Sequence, residues 1–273
     1  MRFGEIFNKS WNEYSSTFNV FLKSSFILLG IPALVILIYN LFFALISSDV
    51  RSMLTNYNIN GMLLFNFSSM LIIHWIGALI LGVVALVFSL IFYSGAIWST
   101  LNLKNLTFDK LYKNGKSNFW RYVLFIILVG IFIFLLLLAL VIPAIVFMVF
   151  WSVALFVYYH ERTGIIDSLG RSFNLVRGRW WKTFGYLVLI MIIMIAIGLV
   201  VFIPYFILSV LGLAGTFLTD SLIIYFISQV ISILFTLVYA VIGIFFLFFL
   251  KNLYLELKES KKSPKKVLKS KKK

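Results

Sequence analysis

The chain has 273 residues, 62% of them hydrophobic and 18% aromatic, with 12% charged and a mean hydropathy of +1.06. Soluble domains carry about 45–50% apolar and about 25% charged residues, so this composition leaves too little polar surface for a water-soluble globule and points to lipid as the solvent. There is no cysteine, which excludes disulfides, thiolate nucleophiles and Cys-based metal sites.

A helix rises about 1.5 Å per residue, so roughly 20 apolar residues cross a ~30 Å hydrocarbon core. On that measure the elements follow in order. Phe3, Phe7, Trp11, Tyr14 and Phe18 share one stripe and predict an interfacial helix over 3–18. Residues 26–46 carry no charge and predict span one; the run is too long and lacks the small-residue pattern of a removable leader. Residues 70–97 predict span two, and a second interfacial helix follows over 105–118. The charge-free stretch 122–159 suits two crossings, 122–142 and 144–159. Pro143 marks a tight hairpin between them, because it lacks an N–H and pushes Ile142 away from helical geometry.

A third interfacial helix is predicted over 164–178. It aligns Ile166, Leu169, Phe173, Val176 and Trp180 at spacings of three and four, with Asp167, Ser168, Arg171 and Asn174 opposite. Gly178 suits its end. Spans five and six are 183–203 and 222–250, joined by Pro204–Asp220 as an outer-face loop or shallow re-entrant piece. Residues 251–273, with ten lysines and little apolar surface, read as a disordered basic tail. The expectation is an all-α polytopic transmembrane bundle, a single domain over 1–250.

Six spans place 23 of the 24 Lys and Arg residues on one face, and only Arg51, balanced by Asp49, on the other. Cations stay on the cytoplasmic side, so both termini are expected in the cytoplasm. The layout also repeats. Phe119-Trp120-Arg121 parallels Trp180-Trp181-Lys182, and Trp120 and Trp181 each precede an Ile-Pro by the same interval. Together with the N-terminal stripe this gives three units of interfacial helix plus hairpin.

At the basic face Trp120, Arg121, Arg171, Arg177, Arg179, Trp180, Trp181 and Lys182 are the expected lipid contacts. Indoles prefer the headgroup level, and each cation there is worth about 1 kcal/mol of attraction to anionic lipid. The bland reading of the tail is a topology anchor. Within the spans the polar side chains are Asn40, His74 and Gln229. They either converge on a pocket in the outer half of the bilayer or, as the commoner case, make separate interhelical hydrogen bonds. Glycines 77, 82, 95, 130, 185, 198 and 243 are candidate close-packing positions, without a GxxxG pair. Two histidines, His74 and His160, sit at no metal-ligand spacing, and no nucleophile motif or paired carboxylates occur. Neither a catalytic site nor a cofactor nor a metal is expected. Nucleic acid is not expected as a partner either, since no aromatics are interleaved with the tail lysines beyond Tyr254.

The run Glu161-Arg162-Thr163-Gly164 followed by Ser168-Leu169-Gly170-Arg171-Ser172-Phe173, then Gly178 and Trp181, resembles the signature of the glycerophosphoryl diester phosphodiesterase membrane-domain family and related YciC-like proteins. Tyr254-Leu255-Glu256-Leu257-Lys258 resembles that group's terminal motif. The resemblance implies a six-span membrane bundle and carries no phosphodiesterase activity, because the catalytic domain's acids and histidines have no counterparts here. The function expected is a non-enzymatic integral protein of a prokaryotic plasma membrane that interacts with lipids or other membrane proteins, as a scaffold or in envelope maintenance. The alternative is a small transporter or channel for a lipid-like or weakly polar substrate.

Overall fold

The computed structural model describes residues 2–56, 61–219 and 222–270, and these form helices with no strand among them. The helices are α1 (Phe3–Ser25), α2 (Ile31–Asn56), α3 (Gly61–Leu101), α4 (Phe108–Ser117) and α5 (Phe119–Ala139). They continue as α6 (Val141–Trp151), α7 (Ala154–Glu161), α8 (Ile165–Val176), α9 (Trp180–Thr219) and α10 (Leu222–Ser270). Six stretches are long and apolar enough to cross a membrane: Phe3–Ile46, Ser69–Leu101, Phe119–Ala139, Val141–Glu161, Trp180–Ile207 and Phe226–Lys261. The fold is all-α with six candidate spans.

Each proline acts differently from its neighbours. Pro32 lies just after a π-helical turn, Phe26–Gly30, that links α1 to α2 without a break. A proline cannot donate to the carbonyl four residues back and its ring crowds that carbonyl. The ladder widens locally, and Ile31 N–H bonds to the Phe26 carbonyl five residues earlier. The predicted interfacial helix over 3–18 and span one are thus one helical run.

The hairpin expected at Pro143 opens earlier. Leu140 leaves the helix in an extended conformation (φ −164°, ψ 137°), and Pro143 sits in the first turn of α6, where a missing N–H costs nothing. Phe132 against Trp151 and Phe125 against Tyr158 show α5 returning antiparallel through α6 and α7. Pro204, by contrast, is inside α9, which continues to Thr219. The loop or re-entrant piece predicted over 204–220 is helix through 219; Asp220 lies outside the described residues, as do the side chains of Asp49 and Arg51.

The tail needs the largest correction. α10 runs on past Leu250, and Lys251, Asn252, Leu253, Tyr254 and Leu257 are buried. Residues 251–261 are therefore packed helix; the side chains beyond them lie outside the described residues.

By its contacts the chain divides into two compact units. Unit 1 comprises Met1–Ser24, Leu90–Ile197 and Val241–Lys273; unit 2 comprises Ser25–Ser89 and Gly198–Ala240. In unit 1, α1 lies across α10. Phe3 meets Phe249 and Phe21 meets Phe248, although eighteen residues of helix, about 27 Å at 1.5 Å each, separate the two phenylalanines of α1. A helix running alongside α10 would spread these contacts over a similar length. α4 crosses α3 at a pair of glycines. A Cβ on Gly95 would stand 2.4 Å from the Leu111 carbonyl oxygen, and one on Gly115 2.3 Å from that of Ile91. Neither oxygen belongs to a flexible side chain, so this crossing requires both glycines.

Unit 2 uses a different device. The ring of Tyr39 fills the space above Gly77 and its hydroxyl donates to the His74 carbonyl (3.0 Å); Tyr239 lies against Gly198 and donates to that residue's own carbonyl (3.1 Å). Of the glycines singled out from sequence, 77, 95 and 198 are close-packed, whereas 82, 130, 185 and 243 face open space.

Candidate functional site

The basic stretch after the fourth span is organised by one carboxylate. α7 ends at Glu161, and Arg162 turns the chain with a left-handed conformation (φ 51°) before Gly164 starts α8. The turn brings α8 back beside Glu161. One Glu161 oxygen accepts from Arg171 Nη1 (2.5 Å); the other accepts from Lys258 Nζ (2.8 Å) and the Tyr254 hydroxyl (3.0 Å). Tyr254, fully buried, also accepts from Lys258 (3.0 Å) and lies 2.8 Å from His160 Nδ1. Lys258 Nζ also lies 3.4 Å from His160 Nδ1, so the imidazole borders the same cluster. Helices α7, α8 and α10 are clamped together, and both Glu161 oxygens are used in doing so. Four of its members, Glu161, Arg171, Tyr254 and Lys258, belong to the two stretches that carried the family resemblance.

A second tie joins α1 to α10. Lys251 Nζ donates to Glu13 (2.5 Å), and Asn252 Nδ2 donates both to Glu13 (2.7 Å) and to the Ser10 hydroxyl (3.0 Å). The Lys251 side chain is only 4% exposed, so the carboxylate is its necessary partner. Sequence reasoning assigned Lys251 to the tail and missed Glu13 altogether, because the two are 238 positions apart.

Further ties bind α8, α9 and the turn between them to α10. Arg179 bonds to Ser260, Lys261 to the Asn174 carbonyl, and Lys182 to Glu256 (3.5 Å). Arg121, at the corresponding place in the preceding hairpin, lies over the Tyr158 ring at 4.7 Å and donates to the Tyr158 carbonyl. In both hairpins the base after the exposed tryptophan reaches the returning helix, Arg121 at α7 and Lys182 at α10.

Of the predicted lipid contacts, Trp120 (70% exposed), Trp181 (78% exposed) and Arg177 point outward. Arg121, Arg171, Arg179 and Lys182 are held as above. Trp180 donates its indole N–H to the Val146 carbonyl (3.3 Å) and stacks on Phe184. The stripe on α8 is also rotated from the one predicted. Ser168, Leu169, Ser172 and Val176 are buried while Ile166 is 59% exposed. Small hydroxyl residues let α8 approach α6 closely: Ser172 donates to the Phe150 carbonyl (2.7 Å) and Phe173 packs on the Phe150 ring at 4.3 Å.

Asn40, His74 and Gln229 all fall in unit 2 and are half-buried, but no hydrogen bond among the described residues joins them. His74 is instead flanked by Phe43 (3.7 Å between ring centroids) and Tyr39 (5.4 Å), and its buried Nδ1 has no hydrogen-bond partner there.

Six apolar stretches long enough to cross a bilayer, with a polar clamp that joins α7, α8 and α10, define an all-α multi-pass membrane protein. Residues 115–250 match the model of a domain of unknown function (DUF7847), a segment that runs from Gly115 in α4 to the last apolar residue of span six. No curated protein and no solved structure matches the chain.

Proposed function

We propose that the chain is a non-enzymatic, lipid-interacting scaffold of a prokaryotic plasma membrane. Both termini are cytoplasmic, and the basic face is read as a binding surface for anionic headgroups. One observation carries this reading: with six spans, 23 of the 24 cations share one side, and there Trp120 and Trp181 stand exposed at the starts of α5 and α9. Indoles at headgroup depth anchor a helix, and each unpaired cation beside them adds about 1 kcal/mol of attraction to anionic lipid. Arg177, exposed and without an ion pair among the described residues, is the cation best placed to supply it. Relationship to the phosphodiesterase membrane-domain and YciC-like proteins remains part of the same proposal, supported by the residues of the Glu161 clamp. Transport has less support, since Asn40, His74 and Gln229 share no hydrogen bond.

The test is tryptophan quenching in nanodiscs. Brominated phosphatidylglycerol is expected to quench the Trp181 contribution, taken as parent minus Trp181→Phe, more than brominated phosphatidylcholine does at equal mole fraction. The preference should shrink in high salt and with Arg177→Gln. Equal quenching by the two lipids would remove the reading.

A further inference from the structure

Below the crossing of α1 over α10 lies an apolar groove of about 460 Å³, within unit 1. Its roof is one face of α1: Trp11, Tyr14, Ser15 and Phe18 recur at i, i+3, i+4 and i+7. Ile197 of α9 forms one wall, and Ile242 and Phe245 of α10 the other. The size falls within the ~300–1,000 Å³ typical of small-molecule sites.

The chemistry of the lining narrows the occupant. Tyr14 is already engaged, its hydroxyl donating to the Val241 carbonyl (3.2 Å), and the Ser15 hydroxyl donates to the Asn12 carbonyl (3.1 Å). Among the described residues no charged side chain lines the groove, so it offers no partner for an ion. Trp11, 51% exposed, packs edge-on against Phe245 and leaves its indole N–H without a partner among the described residues. The groove opens outward along its own lining, where Trp11 is 51%, Phe18 36% and Ile197 38% exposed. An occupant must be a long, flexible hydrocarbon that enters from the lipid phase and offers an acceptor at its polar end.

We infer that the groove under α1 is a resident lipid site, holding one acyl chain of a membrane phospholipid with an ester carbonyl accepting from the Trp11 indole. This rests on the bilayer-embedded reading of the spans and adds to the headgroup reading a second, chain-specific site. The crossing of α1 over α10 makes the site, since it roofs a space that α9 and α10 alone would leave open.

Native mass spectrometry of the full chain in mild detergent tests it. One phospholipid per chain is expected to survive dilution into detergent, and a phosphatidylglycerol or phosphatidylcholine carrying an acyl diazirine should crosslink to peptides containing Ile197 and Phe245. Ile197→Trp fills the groove and should cut retention at least tenfold. Ile242→Trp, on the opposite wall, should do the same, so misfolding of one variant leaves the other to decide. Thermal unfolding and helical content of each variant identify which have folded. Absence of a retained lipid, full retention in a folded filled variant, crosslinking elsewhere, or retention of a free fatty acid in place of phospholipid would overturn the inference. Loss of the phosphatidylglycerol quenching preference with chain retention intact would remove the headgroup reading alone; the converse would remove the groove alone.

Discussion

Unit 1 and unit 2 are held together by different forces. The ion pairs Glu13–Lys251, Glu161–Arg171, Glu161–Lys258 and Glu256–Lys182 all fall in unit 1. So do most fully buried side chains, Phe92, Phe156, Phe248 and Tyr254 among them. Unit 2 has large apolar residues turned outward, such as Ile73, Trp75 and Ile223, and joins its helices by tyrosine rings seated on glycines and by the Tyr205–Phe235 stack at 4.1 Å. The difference follows from the solvent. Helices fully surrounded by lipid gain no hydrophobic stabilisation from packing together, so close contact and a few hydrogen bonds must suffice. Where helices emerge toward water, carboxylates and amines can meet without stranding either charge in hydrocarbon.

Removing charge should therefore damage unit 1 and spare unit 2. Glu13→Ala leaves Lys251 buried without its partner, a change of the kind that costs about 3–5 kcal/mol. Hydrogen exchange should rise sharply over 3–24 and 241–257, and replacing both members by apolar residues, Glu13→Leu with Lys251→Met, should recover most of the protection. Unchanged exchange in Glu13→Ala would mean the ion pair is not what ties α1 down.

Glu161→Gln is expected to act next most strongly. The amide keeps one acceptor but loses its charge-assisted bonds to Arg171 and Lys258, and such bonds are worth about 1.5–3 kcal/mol each at most. The expected readout is faster exchange in α8 and in residues 251–261, with α2 and the first part of α3 unaffected. If unit 2 loosened equally, the contrast between the two units would fail. Smallest should be the loss of a tyrosine hydroxyl in unit 2. Tyr39→Phe and Tyr239→Phe each remove one interhelical bond averaging about 0.6 kcal/mol in membrane proteins. Thermal unfolding in detergent should shift slightly for each, and a shift as large as that of Glu13→Ala would erase the distinction.

Sequence made the lipid-facing part of this architecture legible because absence of charge is a local property. All six spans follow from it. What it concealed was the part that depends on partners distant in the chain. Residues 251–261 look too polar to fold alone, and they do so only because α1 and α7 present Glu13 and Glu161 to them. Ile166 belongs to the apolar stripe of α8 yet stands exposed, since in a bilayer an isoleucine is equally at home outside the packed face. The buried positions go to Ser168 and Ser172, whose size permits close approach and whose hydroxyls find carbonyls at hand. Pro143 and Pro204 look equivalent in sequence. Only the extended Leu140 separates a hairpin from a continuous helix.

The claim on which the rest depends is that the clamped, basic ends of the helices share one aqueous side. The chain has no cysteine, so single-cysteine variants give a clean reading. In sealed right-side-out vesicles, Lys113→Cys, Arg177→Cys and Lys266→Cys should resist a membrane-impermeant maleimide until the vesicles are opened, whereas Asn58→Cys should label at once. Immediate labelling of either Arg177→Cys or Lys266→Cys, with the other still protected, would contradict the account.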